Sequence, residues 1–317
     1  MPYKTFSLFE KNGSKAKLTT ILIPMISIII CSRHTDISEE LKVNIQTTIG
    51  LEYELVIIDN SKNEYSIFQA YNEGVRRAKY PYLCFMHEDI LYHTQDWGEK
   101  VIEHLKDEKV GLIGVGGCHF LSKYPVSLLS WKVTIRNSFY SFNYIQGDQK
   151  NQVNKKEVLN NLQGGSVNVL ALDGMWFCLK RDLFEHTKLK FDEENYSGFH
   201  FYDFDICMQV YAQKMDTKII PDILIEHFST GNFDKVWYDN AFVFYKKWKN
   251  YLPAAVGLKL TNEEIKATEY DLVMEFIQSA VQTQDTLEKQ IQSIRHSKKY
   301  RLGCFLLKPL NWIKNEF

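Results

Sequence analysis

Four short apolar segments alternate with amphipathic segments near the start of the chain, and this alternation restricts the fold more than any other feature. The apolar segments are Ile26–Cys31, Glu54–Asp59, Tyr82–Met86 and Val110–Val115, and residues at helical spacing follow each of the first three. Buried strands that alternate with helices in this way form a parallel sheet covered on both faces. The sequence therefore predicts an α/β fold with a mostly parallel central sheet flanked by helices.

The pattern changes outside this region and divides the 317 residues into three parts. Residues 1–24 are polar and mixed and are predicted to form an N-terminal arm, and residues 25–233 are predicted to form the domain that contains the sheet. From residue 234 onward the signal is helical, which predicts a helical C-terminal region over 234–317. Residues 116–169 show little periodicity and are long for a connection, so they form either a functional flap or a small inserted subdomain.

Charge and composition exclude several classes of protein. The chain has 38 Lys and Arg against 39 Asp and Glu, so no whole-molecule charge attracts nucleic acid, and we expect no nucleic-acid partner. No apolar run reaches the ~18 residues that a membrane-spanning helix needs, and the first apolar run has no small-residue cleavage site. Six cysteines without a C-x-x-C pair are typical of reduced thiols. We expect a cytoplasmic protein.

Polar side chains follow the strands at their carboxyl ends, where open parallel sheets bind ligands. These side chains are Ser32 and Arg33 after the first strand, Asp59 at the end of the second, and His87, Glu88 and Asp89 after the third. The glycine-rich G-x-G-x-x-G turn is missing after the first strand, and G-x-x-x-x-G-K-[ST] is missing throughout. The sheet must bind its ligand by a route other than these two nucleotide-binding signatures.

Eight separated segments carry a resemblance to a known family. They are Ser27–Arg33, Val56–Asn60, Ala70–Lys79, Tyr82–Asp89, Leu172–Phe177, Phe191–Glu193, Tyr202–Cys207 and Glu226–Gly231. In this order they resemble the family 2 glycosyltransferases of the GT-A fold, of the bacterial surface-polysaccharide type. The resemblance implies a GT-A-like catalytic domain that transfers a sugar from a nucleotide diphosphate sugar, with a UDP-type donor favoured, to a saccharide or lipid-linked acceptor.

The resemblance also implies a metal site in the turn after the third strand. The family carries a D-x-D metal motif where this chain has His87-Glu88-Asp89, so Asp89 is the predicted ligand and the other two residues support it. His227 lies where many relatives have a histidine that reaches the cation or the diphosphate. A departing diphosphate needs a hard divalent cation, and an imidazole ligand favours Mn²⁺ over Mg²⁺, so we expect Mn²⁺ with Mg²⁺ permitted. Alternatively, the acidic turn caps a helix and His227 is structural.

Transfer also needs a base, because an acceptor hydroxyl is a poor nucleophile at neutral pH. In the family the first Asp of an E-D-x-D stretch is that base, and Tyr202-Asp203-Phe204-Asp205 resembles the stretch with Tyr in place of Glu. The resemblance therefore assigns catalysis to Asp203, and a single base favours inversion of the anomeric centre. Asp205 is expected to cap the helix or orient loops. Alternatively, both carboxylates only stabilise a helix N-terminus.

The same resemblance places further residues at the donor or acceptor. The predicted binding residues are Ser32, Arg33, Asp59, Asn72, Gly74, Lys79, Glu88 and Asp173. Glycine inside a helix costs ~1 kcal/mol relative to alanine, which indicates close packing or ligand approach at Gly74. An Asp at a strand end is also a common turn former, so Asp59 has a structural alternative.

A long helix is predicted over Glu263–His296, with apolar residues spaced alternately by four and three. These seam positions are Val273, Ile277, Ala280, Gln284, Leu287, Ile291 and Ile294, and Gln284 is a polar interruption among them. The seam either packs on the catalytic domain or forms a homodimer. Residues 288–317 carry seven basic against two acidic residues, interleaved with aromatic and aliphatic residues, which is typical of peripheral membrane contact at an anionic lipid surface. The tail could equally pack on the protein or bind a partner.

Two other functions remain open. His87 and Tyr202 occupy atypical positions, which allows a nucleotide-sugar-binding relative that has lost catalysis. A nucleotidyltransferase on a similar sheet is a weaker alternative, because Cys31-Ser-Arg-His34 lacks a glycine-rich basic loop. The donor sugar, the acceptor and the linkage depend on pocket shape and are not predicted.

Overall fold

The computed structural model describes residues 4–10, 17–23, 25–125, 139–147, 156–229 and 234–305. The basic and aromatic positions predicted beyond residue 305 lie outside these ranges, as do Gly231 and two stretches of the segment 116–169.

Between residues 26 and 114 the described strands alternate with helices, except that the strands Tyr82–Met86 and Ile90–Tyr92 follow each other directly. The strands are β1 Lys4–Glu10, β2 Lys17–Ile23, β3 Ile26–Ser32, β4 Tyr53–Asp59, β5 Tyr82–Met86, β6 Ile90–Tyr92, β7 Val110–Gly114, β8 Gly116–Cys118, β9 Phe120–Leu121, β10 Tyr140–Gln146, β11 Glu157–Asn160, β12 Val167–Val169, β13 Ala171–Leu172, β14 Trp176–Lys180, β15 Asp216–Ile219, β16 Ile225–His227 and β17 Ala254–Ala255. The helices are α1 Glu39–Thr48, α2 Ile67–Arg77, α3 Trp97–Leu105, α4 Asp182–His186, α5 Tyr202–Ala212, α6 Lys235–Trp248 and α7 Asn262–His296.

Seven strands form the central sheet in the order β12-β15-β7-β14-β5-β3-β4. All but β12 and β14 run in one direction, which confirms the predicted mostly parallel sheet. Successive side chains of β3 point to opposite faces, so Ile28 packs in the core under α1 and α3 while Ile29 packs in the core under α2 and α5. Both residues are fully buried, as the continuous apolar run requires.

A second sheet covers one edge of the first and has the order β13-β8-β10-β16-β6, with β11 paired to β10. Strands β8, β10 and β11 come from the unpatterned segment 116–169, while β12 of the same segment joins the central sheet. The described part of this segment is therefore built into the fold. Its strands have two to seven residues and depend on partners distant in the chain, which explains why periodicity did not reveal them.

The two ends of the described chain differ from the sheets. The predicted N-terminal arm contains an antiparallel pair, β1 with β2. The long helix α7 begins at a capping box formed by Thr261 and Glu264. Its first turns pack on the sheet domain, where Leu272 is buried and Glu269 accepts hydrogen bonds from the side chain of Ser122 and the backbone of Lys123.

From Ile277 onward the side chains of α7 are exposed, and its large apolar members are 47% to 58% accessible. The buried residues of the helix thus lie in its N-terminal part, and the remainder of the predicted seam is exposed, with Tyr238 of α6 sharing a pocket with Leu287 and Ile291. Although α7 has 35 residues, neither it nor any other described helix has an apolar stretch that could cross a bilayer.

Candidate active site

The turn between β5 and β6 positions the predicted metal residues. Strand β6 pairs antiparallel with β16, which sets Ile90 opposite His227. The backbone N–H of Phe228 donates to the carbonyl of Asp89 at 3.1 Å, and that of His87 donates to Met175 at 2.9 Å. These backbone contacts bring His227 against a turn that lies 140 positions earlier in the chain.

Three metal-ligand side chains converge there. His87 Nδ1 lies 3.3 Å from His227 Nε2 and 3.9 Å from Asp89 Oδ1, and His227 Nε2 lies 3.7 Å from the same oxygen. In the described part of the chain this is the group of three that could hold a metal ion. The structure brings together the predicted ligands Asp89 and His227. It adds His87, which sequence reasoning treated only as support, although the histidine at that motif position is itself a ligand type.

The chemistry of this group fits a divalent transition cation. Burial, with repulsion from His227, lowers the pKa of His87 to about 4, so the imidazole is neutral at neutral pH. Metals bind the neutral imidazole and the ionised carboxylate. Two imidazole nitrogens and one carboxylate oxygen suit Mn²⁺ better than a purely oxygen-seeking ion.

Glu88, the middle residue of the turn, points away from this group. Its carboxylate accepts hydrogen bonds from Ser32 Oγ at 2.5 Å and from Arg33 Nε at 2.8 Å. Burial alone would raise the pKa of Glu88, but these hydrogen bonds from Ser32 and Arg33 outweigh it and lower the pKa below the ordinary value. Glu88 therefore holds the loop after β3 in place. The buried Ser32 contacts Glu88 through its hydroxyl.

We call the side chains of His87, Asp89 and His227 the metal group. A cleft of about 470 Å³ opens beside them. Its lining residues are Cys31, Arg33, Asn60, Ser61, Asn63, Ile67, Tyr71, His87, Glu88, Asp89, Phe199, Tyr202 and Ser229. Three predicted site residues, Arg33, Glu88 and Asp89, are among them. The residues between β4 and α2 were missed, although the cluster Asn60-Ser-Lys-Asn63 directly after a buried strand was an available signal.

Asp203 follows Tyr202, whose hydroxyl is 2.8 Å from His87 Nε2, but Asp203 is not among the residues that line the cleft. Its carboxylate accepts the backbone N–H of Gly174 at 2.9 Å. Burial, with repulsion from Asp173, raises the pKa of Asp203 to about 7. A carboxylate with a pKa near 7 is well matched to taking a proton from a hydroxyl at neutral pH.

Asp173 belongs to the same polar cluster. It accepts hydrogen bonds from the Tyr140 hydroxyl at 3.3 Å and the backbone N–H of Met175 at 3.2 Å. Asp205 does not. It is buried and bound by Lys247 and Trp248 at 2.9 and 2.8 Å, which ties α5 to α6. Asp203 and Asp205, the two carboxylates of the stretch that resembles E-D-x-D, thus have separate surroundings.

Four other predicted binding residues do not line the cleft, and their roles at the donor or acceptor remain predictions. Asn72 exchanges hydrogen bonds with the backbone of Phe191, and a Cβ on Gly74 would overlap the buried Ile29. Lys79 pairs with Glu54 at 3.5 Å. Asp59 is exposed and accepts the backbone N–H of Ser61 at 2.9 Å, the turn-forming alternative.

Residues 27–256 match the model of a glycosyltransferase-like family. The chain belongs to this family. Family membership confirms the glycosyltransferase relationship inferred from the eight segments and agrees with the α/β architecture. A comparison with curated proteins gave no match.

Two solved structures are among those to which the chain is similar. Mannosyltransferase PcManGT from Pyrobaculum calidifontis, in complex with GDP-Man and Mn²⁺, is 12% identical with a TM-score of 0.46 over 88% of this chain and 83% of that one. GalNAc-T7, with UDP, GalNAc and Mn²⁺, is 13% identical with a TM-score of 0.43 over 65% of this chain and 44% of that one.

Proposed function

We propose that this protein is a divalent-cation-dependent glycosyltransferase that moves a sugar from a nucleotide diphosphate sugar to a saccharide or lipid-linked acceptor. One observation carries the proposal: His87, Asp89 and His227 converge beside a cleft, in a group that could hold a metal ion. The raised pKa of Asp203, about 7, supports its role as the base. Family membership supports the reaction class.

The roles of the side chains follow from their chemistry. His87, Asp89 and His227 would hold Mn²⁺, or Mg²⁺ in its place, and the bound cation would offset the negative charge of the departing diphosphate. Asp203 takes the proton of the acceptor hydroxyl as the new bond forms. Arg33 faces the cleft and adds positive charge on the donor side. With Asp203 as the single base, the transfer inverts the anomeric centre.

The finer parts of the proposal concern donor, acceptor and place. We favour a UDP-type donor and an acceptor of surface-polysaccharide synthesis, at the inner face of the cell membrane. The exposed Tyr300, Leu302 and Phe305 beside Lys298 and Arg301 support membrane contact by the C-terminal tail. The exposed seam of α7 supports a homodimer.

Thermal unfolding and turnover together test the function. Ligands that bind only the folded state raise its melting temperature, so Mn²⁺ with UDP should stabilise the wild-type protein. Asp89→Asn should lose that shift and all transfer, while keeping the unliganded melting temperature within a few degrees. Asp285→Asn, at an exposed position of α7, is the matched control and should behave as wild type. Full turnover in Asp89→Asn would remove this residue from its proposed role.

A binding protein without catalysis is the second candidate, suggested by His87 and Tyr202 at atypical positions. Calorimetry with UDP and Mn²⁺, paired with a donor-hydrolysis assay over a panel of nucleotide sugars, separates the candidates. Tight binding without turnover of any donor would favour the binding protein. Turnover with at least one donor would favour the transferase.

A further inference from the structure

The two atypical residues of the site contact each other. His87 Nε2 lies 2.8 Å from the Tyr202 hydroxyl, although the residues are 115 positions apart. Each residue, taken alone, departs from the family motif and weakens the expectation of a catalytic site. Their contact indicates that they work as a pair, with His87 as a ligand and Tyr202 behind it.

Counting protons fixes the direction of this hydrogen bond. A tyrosine hydroxyl has one proton, and that of Tyr202 also lies 3.0 Å from the carbonyl oxygen of Gly174. A carbonyl can only accept, so both contacts are hydrogen bonds only when the Tyr202 proton goes to Gly174 and the hydroxyl accepts from His87. His87 therefore carries its proton on Nε2, and Nδ1 presents its lone pair toward His227 and Asp89.

The Tyr202 hydroxyl is held firmly in this place. The side chain is buried, and its ring packs edge-on against Tyr71 and Phe68 at centroid distances of 5.4 and 6.4 Å. A Cβ at Gly174 would overlap the hydroxyl, so the absence of a side chain there permits the approach. The opposite proton placement on His87 would leave Tyr202 facing a lone pair with its proton already committed.

We propose that Tyr202 is a positioning residue that holds His87 in the Nε2–H tautomer, so that Nδ1 joins Asp89 and His227 in binding a divalent cation. The inference rests on the proposed function and deepens it. Groups that orient metal-bound histidines in this way typically contribute about 10- to 100-fold to metal affinity.

Tyr202→Phe in the full chain tests the inference, with Mn²⁺ binding at pH 8 measured by electron paramagnetic resonance of the free ion without nucleotide. We expect affinity to fall about 10- to 100-fold. Tyr196→Phe is the matched control, because it removes another buried hydroxyl of the same ring cluster, one that donates to Asp205. It should bind Mn²⁺ as wild type does.

A double-mutant cycle separates positioning from a general structural effect. If Tyr202 acts through His87, then His87→Ala/Tyr202→Phe should bind Mn²⁺ as weakly as His87→Ala alone. Equal affinity of Tyr202→Phe and wild type, or full additivity in the cycle, would overturn the inference and leave the proposed function intact. Failure of the wild-type protein to bind Mn²⁺ would overturn both.

The tautomer itself gives a second readout that needs no metal. Two-bond ¹H–¹⁵N spectra of metal-free, histidine-labelled protein show which ring nitrogen carries the proton, and His87→Ala identifies the signal. We expect protonated Nε2 in the wild-type protein and a mixture in Tyr202→Phe. A wild-type signal with protonated Nδ1 would disprove the positioning role whatever the metal affinity.

Discussion

At the residue scale, the site places ionisable groups in surroundings that divide the chemical work among them. The pKa of His87 is lowered to about 4 and that of Asp203 raised to about 7, both chiefly by burial. The lowered pKa keeps the His87 imidazole neutral at neutral pH, and the neutral form is the one that binds metals. The raised pKa of Asp203 lies close to neutral pH. Residues of similar burial thus suit a ligand and a base.

The raised pKa of Asp203 predicts how activity depends on pH. A base must be ionised to take a proton, so kcat/KM should rise through about pH 7 and level off above it. Asp203→Asn should abolish transfer at every pH while Mn²⁺ still binds. The check is a pH–rate profile with saturating Mn²⁺. A profile that is flat from pH 5 to 8 would contradict the assignment of Asp203 as base.

The same shift predicts a stability effect of opposite sign. Because the folded-state pKa of Asp203 lies above its unfolded value, folding favours the protonated carboxyl, and this stability is lost as pH rises toward 7. Asp203→Asn cannot ionise, so its melting temperature should exceed that of the wild type by more at pH 8 than at pH 5, without metal. A gain that shrinks as pH rises would disprove burial of an ionisable Asp203.

At the element scale, α2 lies against β3 at Gly74, which has no side chain and lies directly over Ile29. Gly74→Ala would gain about 1 kcal/mol of helix propensity. It would also place a methyl group on Ile29, and overpacking of a core costs about 1–3 kcal/mol. We expect net destabilisation in denaturant unfolding.

Two comparisons check this prediction for Gly74. In an Ile29→Ala background, Gly74→Ala should become neutral or stabilising, because the opposing side chain is gone. Gly165→Ala, where a Cβ meets open space, should change stability little. Equal effects of Gly74→Ala in both backgrounds would contradict the packing explanation.

The helices and strands differed in how far sequence alone could predict them. Strands β3, β4, β5 and β7 could be predicted because each is a short, largely apolar run with local boundaries. The second sheet could not, because strands as short as β8 and β13 depend on partners distant in sequence. For the same reason the hydrogen bond of Asn72 to the backbone of Phe191, 119 positions away, could not be predicted.

The site itself was predicted in its parts and not in its arrangement. Motif resemblance singled out Asp89 and His227 as metal ligands, and the structure brings these two residues together, but their role as ligands remains a prediction. Sequence reasoning treated His87 only as support, because its contact with Tyr202, 115 positions away in the chain, is supplied by the tertiary structure. The role of Asp203 remains a prediction that the pH experiments address.

At the scale of the whole molecule, the exposed part of α7 predicts self-association. An isolated helix of this length gains little stability from propensity alone, and apolar residues at alternating spacings of four and three suit packing against an identical helix. Light scattering should give twice the 37.2 kDa chain mass for the wild type. Ile291→Asn, on the seam, should give the single-chain mass, and Gln292→Asn beside it should not.

Two outcomes decide the association. A wild-type mass of one chain at tens of micromolar would rule out a stable dimer through α7. A dimer that survives Ile291→Asn would place the interface elsewhere. Neither result affects the metal group, which lies on the sheet domain between β5 and β16.

The pairing of β6 with β16 links the metal group to the order in which the chain is made. One imidazole precedes the other by 140 positions, so an unfinished polypeptide on the ribosome lacks a complete chelating set until most of the domain has been synthesised. An ion bound by all three side chains would then link the turn after β5 to strand β16. Metal loading thereby reports that the two distant stretches have come together.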